Sequence, residues 1–130
     1  MYFNSIKETC LYVKDLNATE AFYRDKLGLQ VIARAENRHV FFRAGTSVLL
    51  CFNPEMTEKE TELPPHFATG NIHMAFEVPG EQYVSWKNFI QDNGIEVIYE
   101  KTWRNNVKSF YFKDPDGHVL EIVTPGLWDY

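Results

Sequence analysis

The sequence predicts an α+β protein made of two β-α-β-β-β modules. Two segments that alternate like strands each lead into a helical segment that ends at a glycine, and three further strand-like segments follow each helix. A charged, proline-bearing linker separates the halves at about residues 54–70. A chain of 130 residues fits one domain. We therefore expect a single domain over residues 1–130, with module one at about 6–53 and module two at about 71–124.

Module one begins with a strand at residues 6–13, in which Glu8, Cys10 and Tyr12 share one face. Asn17 and Glu20 have the spacing of a helix N-cap and its capping-box partner, and they predict the start of a helix. Glycine is typical just past a helix end, so the helix is expected to stop before residue 28. Three strands are predicted after it, at residues 29–34, 39–43 and 47–52.

Module two repeats this order. We predict a strand at residues 71–78, a helix at 81–93, and strands at 95–101, 107–113 and 118–123. Gly28 follows Glu8 by 20 residues and Gly94 follows His73 by 21, so His73 is predicted to be the structural counterpart of Glu8. Taken alone, a histidine between apolar strand residues is more often a core residue than a ligand.

Composition narrows the class of partner. The formal net charge of −5 and the absence of a basic run disfavour nucleic acid and anionic membranes. No apolar run approaches the ~18 residues of a membrane span, and no export signal precedes the first strand. Cys10 and Cys51 have neither a metal-knuckle nor a disulfide-framework spacing. We therefore expect a cytoplasmic protein that binds a small molecule, with no nucleic-acid or membrane partner.

The segment FKDPDGHVLEIV, at residues 112–123, predicts a turn followed by a strand. Val119, Glu121 and Val123 share one face of that strand. A lone carboxylate between two valines costs several kcal/mol to bury unless a positive group meets it. One interpretation is that Glu121 lies on an edge strand and reaches solvent or a surface lysine. The other is that Glu121 has a partner within a site.

If the two modules pair about a pseudo-two-fold axis, Glu8, His73 and Glu121 can converge. Two carboxylates about 4 Å apart repel by about 4 kcal/mol at an effective dielectric constant of about 20, and a divalent cation removes that repulsion. Two carboxylates and a neutral imidazole suit Mn²⁺, Fe²⁺, Ni²⁺ or Zn²⁺. Such an ion stabilises an oxyanion or an enediolate, and Glu121 or Glu8 becomes the candidate catalytic base.

Several motifs together resemble the vicinal oxygen chelate superfamily, the group of glyoxalase I, bleomycin resistance proteins and dioxygenases. They are the repeat itself, DLNATEAFYRDKLGL after the first strand, GNIHMAFEV at the start of module two, and SFYFKDPDGHVLEIV at its end. The resemblance covers about residues 6–124 and implies a glyoxalase-like fold, in which paired modules form a curved mixed sheet with helices on the outer face. It also implies metal ligands at Glu8, His73 and Glu121, and a homodimer whose sites are often built from both chains.

Departures from the family pattern narrow the activity that the resemblance implies. The first-strand ligand is commonly His, whereas this chain has Glu8, which together with the short length argues against dioxygenases. The fourth carboxylate of the glyoxalase I pattern falls on Leu50 or Cys51, which argues against a strict glyoxalase I assignment. Thiol transferases that inactivate fosfomycin are also similar, and Ser109 and Tyr111 match their SFYF segment. Their phosphonate-binding basic residue has no match in the closing GLWDY.

Five residues are predicted substrate contacts, namely Cys10, Arg43, Lys108, Ser109 and Tyr111. Cys10 lies on the predicted Glu8 face, so it either lines the pocket or acts as a nucleophile, and a buried inert thiol is the alternative. Arg43, Lys108 and Tyr111 are candidate contacts for an anion or an oxygen atom, against an alternative of surface or core packing.

The sequence therefore favours a metal-dependent enzyme of the glyoxalase type. It would act as a lyase or isomerase, or transfer a thiol, on a vicinally oxygenated small molecule. The alternative is a metal-free protein that sequesters a ligand, as the resemblance to bleomycin resistance proteins implies. The three ionisable side chains favour the enzyme, because burying them without a metal ion would cost stability.

Overall fold

Two β-α-β-β-β modules follow one another in the computed structural model, which describes residues 1–129. Each module belongs to its own unit, and the units meet in sequence at Gly70 and Asn71. The predicted α+β class and the repeated module are confirmed. Among residues 1–129, none of the helices has the length and apolar character needed to cross a membrane.

The first unit contains a four-stranded mixed sheet. Its strands are β1 (Glu8–Tyr12), β2 (Gln30–Ala35), β3 (His39–Ala44) and β4 (Ser47–Phe52), and they lie in the order β1-β4-β3-β2. β1 runs parallel to β4, while β4, β3 and β2 are antiparallel neighbours. The helical segment is α1 (Leu16–Glu20), which continues as a π-helix over Ala21–Lys26, and a short α2 (Pro54–Thr57) begins the predicted linker.

The start of α1 differs from the sequence prediction. Asp15, not Asn17, is the N-cap, because its carboxylate accepts hydrogen bonds from the backbone N–H groups of Asn17 and Ala18 at 2.9 and 3.1 Å. The Asn17 side chain instead accepts a hydrogen bond from Arg34 of β2 at 2.8 Å. The helical segment ends just before Gly28, as predicted, and Gly28 has the positive φ of +80° that is typical of a residue past a helix end.

The second unit contains a second four-stranded mixed sheet. Its strands are β5 (His73–Glu77), β6 (Tyr99–Thr102), β7 (Lys108–Lys113) and β8 (Val119–Val123), in the order β5-β8-β7-β6. A 3₁₀ turn at Gly80–Gln82 leads into α3 (Tyr83–Asp92), and a second one at Arg104–Asn106 joins β6 to β7. The strand predicted at residues 95–101 is shorter and later than expected, because residues 95–98 do not form strand.

Each helix packs on one face of the sheet in its own unit. Tyr23 of the π-helix lies 5.4 Å from Phe42 of β3 between ring centroids, and Tyr83 of α3 lies 5.5 Å from Phe110 of β7. All four rings are buried. Because side chains alternate along a strand, the neighbours of Phe42 and Phe110 point to the other face of each sheet. That other face carries the predicted ligands.

The predicted turn at residues 114–117 is confirmed. Asp114 Oδ1 accepts hydrogen bonds from the backbone N–H groups of Asp116 and His118 at 3.0 and 2.9 Å, and Gly117 has a φ of +85°. His118 is buried, and its Nδ1 atom accepts a hydrogen bond from the backbone N–H of Ile72 at 3.1 Å. The turn therefore ties the start of β8 to the start of β5.

Candidate functional site

The strand register brings His73, Glu121 and Tyr111 to one face of the second sheet. Glu121 of β8 is paired with Ala75 of β5 on one side and with Tyr111 of β7 on the other. His73 precedes Ala75 by two residues, so its side chain points to the same face. That face lies opposite α3, because the alternate residue Phe110 contacts the helix.

The contact between His73 and Glu121 places an imidazole nitrogen against a carboxylate oxygen. Nδ1 of His73 lies 2.9 Å from the backbone carbonyl oxygen of Val119, which can only accept, so Nδ1 carries the hydrogen. In a neutral ring Nε2 then carries a lone pair, and Nε2 lies 3.2 Å from Oε2 of Glu121. Two lone pairs at this distance repel unless a proton or a cation lies between them. A backbone carbonyl that orients an imidazole in this way is typical of metal-binding histidines.

The second oxygen of Glu121 supports the same conclusion. The residue is 5% exposed, and its Oε1 atom is buried and has no hydrogen-bond partner within the described chain. A buried carboxylate oxygen without a partner costs free energy that a cation would recover. An imidazole nitrogen and a carboxylate therefore fit a divalent metal as two of its ligands. Across residues 1–129, however, no three His, Cys, Asp or Glu side chains form a group that could hold a metal ion.

Tyr111 lies beside this pair, with its ring 6.0 Å from the His73 ring between centroids. Burial raises the pKa of Tyr111 and a hydrogen bond with Ser109 lowers it. The charge of Glu121 and the side-chain contact of Glu121 with the hydroxyl raise it again, with a net increase. The hydroxyl therefore keeps its proton and is a hydrogen-bond donor at the edge of the pair.

Ser109 is buried two residues before Tyr111 on the same face, and its hydroxyl accepts a hydrogen bond from Trp103 Nε1 at 2.9 Å. The Lys101 ammonium lies 5.6 Å from the centre of the Trp103 ring. Sequence reasoning did not select Lys101 or Trp103 for the site. Lys101 of β6 is paired with Ser109 of β7, so its side chain lies on the same face of the sheet as Ser109 and Tyr111.

Lys108 lies on the other face of the second sheet from Glu121, since it alternates with Ser109. It lines a groove of about 370 Å³ on the α3 side, with Tyr83, Val84, Asn105 and Asn106 among the other lining residues. The structure therefore does not bring Lys108 together with the His73–Glu121 pair. Its contact with a substrate stays a prediction.

Glu8, Cys10 and Arg43 share one face of the first sheet. Glu8 is paired with Val48 of β4, and Val48 is paired in turn with Arg43 of β3. Glu8, Val48 and Arg43 therefore form one row of side chains across the sheet. Glu8 and Arg43 are exposed, and Cys10 is half-buried in the next row. Burial and the charge of Glu8 raise the pKa of the Cys10 thiol, so it has little thiolate character near neutral pH.

The register also shows that Glu8 and His73 occupy equivalent positions. Glu8 is the first paired residue of β1 with β4, as His73 is of β5 with β8. Two residues later Cys10 pairs with Leu50, as Ala75 pairs with Glu121. Leu50, and not Cys51, is therefore the counterpart of Glu121 in module one, so an apolar side chain stands where the glyoxalase I pattern has a carboxylate.

Comparison with known proteins agrees with this architecture. The metallothiol transferase FosB of Bacillus licheniformis is 30% identical over 118 residues, which cover 90% of this chain and 73% of that protein. FosB of Staphylococcus saprophyticus is 28% identical over 126 residues, covering 96% and 80%. A crystal structure of lactoylglutathione lyase from Agrobacterium tumefaciens matches 99% of both chains with a TM-score of 0.93 and 33% identity.

The comparison with protein families gives the same answer over almost the whole chain. Residues 5–122 match the model of the Glyoxalase/Bleomycin resistance protein/Dioxygenase superfamily. This range includes nearly all of both modules, the equivalent positions of Glu8 and His73, and Glu121 itself. The chain therefore belongs to the Glyoxalase/Bleomycin resistance protein/Dioxygenase superfamily.

Proposed function

We propose that this protein is a metal-dependent enzyme that acts on a vicinally oxygenated small molecule, by lyase or isomerase chemistry or by transfer of a thiol. The observation that carries the proposal is the contact between His73 Nε2 and Glu121 Oε2, an imidazole nitrogen and a carboxylate oxygen 3.2 Å apart. The partnerless, buried Oε1 atom of Glu121 lies beside them. A divalent cation bound by both side chains would remove any repulsion between Nε2 and Oε2, and it would also give Glu121 the partner that its buried carboxylate lacks.

His73 and Glu121 would hold the ion, and Glu8 is the proposed third ligand. The metal would be Mn²⁺, Fe²⁺, Ni²⁺ or Zn²⁺, which accept mixed carboxylate and imidazole ligands with positions left for a substrate. When bound, it would polarise substrate oxygens and stabilise the negative charge that develops on them. The carbonyl of Val119 would keep the His73 ring oriented for this role.

The side chains of this chain supply the remaining steps. Glu121 is the proposed base, which would take a proton from the carbon next to a substrate carbonyl onto its carboxylate, and Glu8 is the alternative base. The Tyr111 hydroxyl, whose pKa is raised, would donate a hydrogen bond to a substrate oxygen. Ser109, Cys10 and Arg43, with Lys108 as the more distant candidate, are the further proposed substrate contacts.

The relatives suggest that a thiol takes part. The names metallothiol transferase and lactoylglutathione lyase both refer to thiol compounds, although they describe different reactions. We propose that the second substrate, or a part of the first, is a thiol or a thioester. Turnover of lactoylglutathione would favour the lyase or isomerase reaction, and metal-dependent loss of free glutathione in the presence of an epoxide would favour thiol transfer.

Metal analysis tests the proposal. Chelator-stripped protein is dialysed against Mn²⁺, Zn²⁺ or Ni²⁺ in turn, and bound metal is measured for the wild type, Glu8→Ala, His73→Ala and the control Glu77→Ala. Glu77 is exposed on the same face of β5 as His73. We expect a stoichiometric ion in the wild type and the control, and its loss in the other two variants. A wild type that stays metal-free would favour the metal-free ligand-binding protein instead.

We also propose that residues 1–130 form a single domain, and that the protein is a cytoplasmic homodimer. Tyr2, Phe3 and Ile6 support the dimer, because these apolar side chains are 88%, 99% and 82% exposed ahead of β1. Light scattering of the purified protein should give twice the monomer mass of 15.2 kDa. A mass of one monomer at micromolar concentration would contradict the dimer.

A further inference from the structure

The far end of the Glu8 face of the first sheet carries a layer of aromatic side chains. Tyr12, Phe52 and His39 are paired across β1, β4 and β3 and so point to the same face as Glu8. The rings of Tyr12 and Phe52 stack at 6.3 Å, and Phe41 meets Phe52 edge to face at 5.3 Å. His39 stacks on Phe41 at 4.0 Å, with 13° between the ring planes.

His39 presents a fixed, uncharged hydrogen-bond donor at the edge of this layer. Nη1 of Arg38 lies 2.6 Å from Nδ1 of His39, and a guanidinium can only donate, so Nδ1 accepts and the ring hydrogen is on Nε2. Burial, followed by the charge of Arg38, lowers the pKa of His39 and keeps the ring neutral. Within residues 1–129, Nε2 of His39 has no hydrogen-bond partner.

The linker closes this end of the face and neutralises its charge. Arg38 donates a second hydrogen bond to Glu60 at 2.9 Å, so the guanidinium is paired with a carboxylate. The ring of His66, also from the linker, lies 5.1 Å from Phe52. The hydroxyl of Thr57 donates to the backbone carbonyl of His66 and holds that part of the linker in place. The surface that results is aromatic, and the Arg38 guanidinium, 5.7 Å from the centre of the Phe52 ring, is paired with Glu60.

The aromatic layer lies at a distance from Glu8, the proposed metal ligand, that one small molecule can span. His39 is separated by four strand residues from Arg43, which is in the same row as Glu8. Four residues of an antiparallel strand span about 13 Å. Leu50, Cys10 and Phe41 lie between, and they provide a mostly apolar floor along that distance.

We propose that this layer is a subsite for the far end of the substrate, and that it selects a flat, uncharged ring with a hydrogen-bond acceptor on its edge. The ring would lie against Phe41 and Tyr12, and its acceptor would take the Nε2 hydrogen of His39. An anionic tail would be disfavoured, because Arg38 is already paired with Glu60. The position of the substrate's polar head at Glu8 rests on the proposed function, whereas the properties of the aromatic layer do not.

The first test uses a probe for the layer alone. 4-Butylpyridine carries a flat ring with one acceptor nitrogen, and it is titrated with metal-free protein while its own ring-proton resonances are followed by NMR in every variant, together with the imidazole resonances of His39 wherever that residue is present. We expect a saturable shift, with binding at least tenfold weaker in His39→Ala and in Phe41→Leu, which keeps an apolar side chain. The control Phe89→Leu, at an exposed ring of α3, should leave binding unchanged. Absence of a saturable shift at His39 overturns the proposal.

The second test joins the layer to the metal. Mn²⁺-loaded protein is titrated calorimetrically with acetohydroxamate, 4-phenylbutanohydroxamate and its 4-pyridyl analogue, which share one chelating head. We expect the phenyl compound to bind at least tenfold tighter than acetohydroxamate, and the pyridyl compound tighter again by about threefold, an advantage that His39→Ala removes. If acetohydroxamate does not bind but 4-butylpyridine does, the proposed function fails and the subsite stands. If acetohydroxamate binds and the tails add nothing, the subsite fails and the function stands.

Discussion

The substitution Glu121→Gln should stabilise the metal-free protein and abolish its stabilisation by divalent metal. Glu121 is 5% exposed, Oε1 lacks a hydrogen-bond partner within the described chain, and Oε2 faces Nε2 of His73 at 3.2 Å. Glutamine keeps the shape of the side chain but removes the buried charge. Its amide N–H can also donate to the lone pair on Nε2, so an acceptor pair becomes a hydrogen bond.

The size of the effect follows from these contacts. In the metal-free wild type with a neutral His73 ring, Oε2 is a buried acceptor that faces another acceptor, which costs about 1–3 kcal/mol, and the amide hydrogen bond that replaces this contact contributes about 1 kcal/mol. The oxygen at the Oε1 position has no partner in either protein, so we expect a gain of about 2 kcal/mol in the free energy of unfolding. An unfolding entropy of about 2.1 cal/mol/K per residue gives about 0.27 kcal/mol/K for 130 residues, and the gain then raises Tm by about 7 °C. The wild type should instead gain about 2.7 kcal/mol, or about 10 °C, at a metal concentration of about 100 Kd.

Thermal unfolding followed by circular dichroism measures both effects. The wild type, Glu121→Gln and the control Glu77→Gln are compared at pH 8 in EDTA and in excess Mn²⁺. If His73 and Glu121 formed a simple ion pair, glutamine would break it and lower Tm in EDTA. That result, or an equal rise in Tm with Mn²⁺ in the wild type and Glu121→Gln, would refute the reasoning.

Two further predictions concern the surroundings of the site. Gly117→Ala should lower the free energy of unfolding by about 1–2 kcal/mol in urea titrations, because φ is +85° and a Cβ would lie 3.2 Å from Asn71 Nδ2. Gly80→Ala, which has open space and no positive φ, should cost less than about 0.5 kcal/mol, and equal losses would contradict the account. Cys10 should react slowly with iodoacetamide at pH 8, and Glu8→Gln should speed the reaction by about twofold, because the charge that raises the Cys10 pKa is removed. An unchanged rate would show that Glu8 does not act on the thiol.

The parts of the fold that depend on local chemistry could be predicted from the sequence. The turn before β8 follows from Asp114 and Gly117, and the end of the first helix follows from Gly28. The predicted N-cap, Asn17, was wrong because Asp15 is also a good capping residue, and because Arg34 of β2 donates a hydrogen bond to the side chain of Asn17. Such a contact joins distant residues, so the local sequence does not contain it.

The candidate site depends mostly on register between distant strands. Whether Leu50 or Cys51 matches Glu121 is decided by the pairing of β4 with β1, which lie about 40 residues apart, and the sequence left both open. The alternation of β7 separates Lys108 from Tyr111, once the buried position of Phe110 fixes which face meets the helix. The contact between His73 and Glu121 was expected from the family resemblance, whereas the tautomer of His73 needed the position of a backbone carbonyl.

Anomalous diffraction from crystals grown with Mn²⁺ tests the central claim most directly. We expect an anomalous peak at about 2.0–2.2 Å from His73 Nε2 and from a carboxylate oxygen of Glu121. A carboxylate oxygen of Glu8 should be the third protein ligand of the same peak. Crystals that show no peak at His73, with its Nε2 hydrogen-bonded to Glu121 in the presence of saturating Mn²⁺, would contradict the claim.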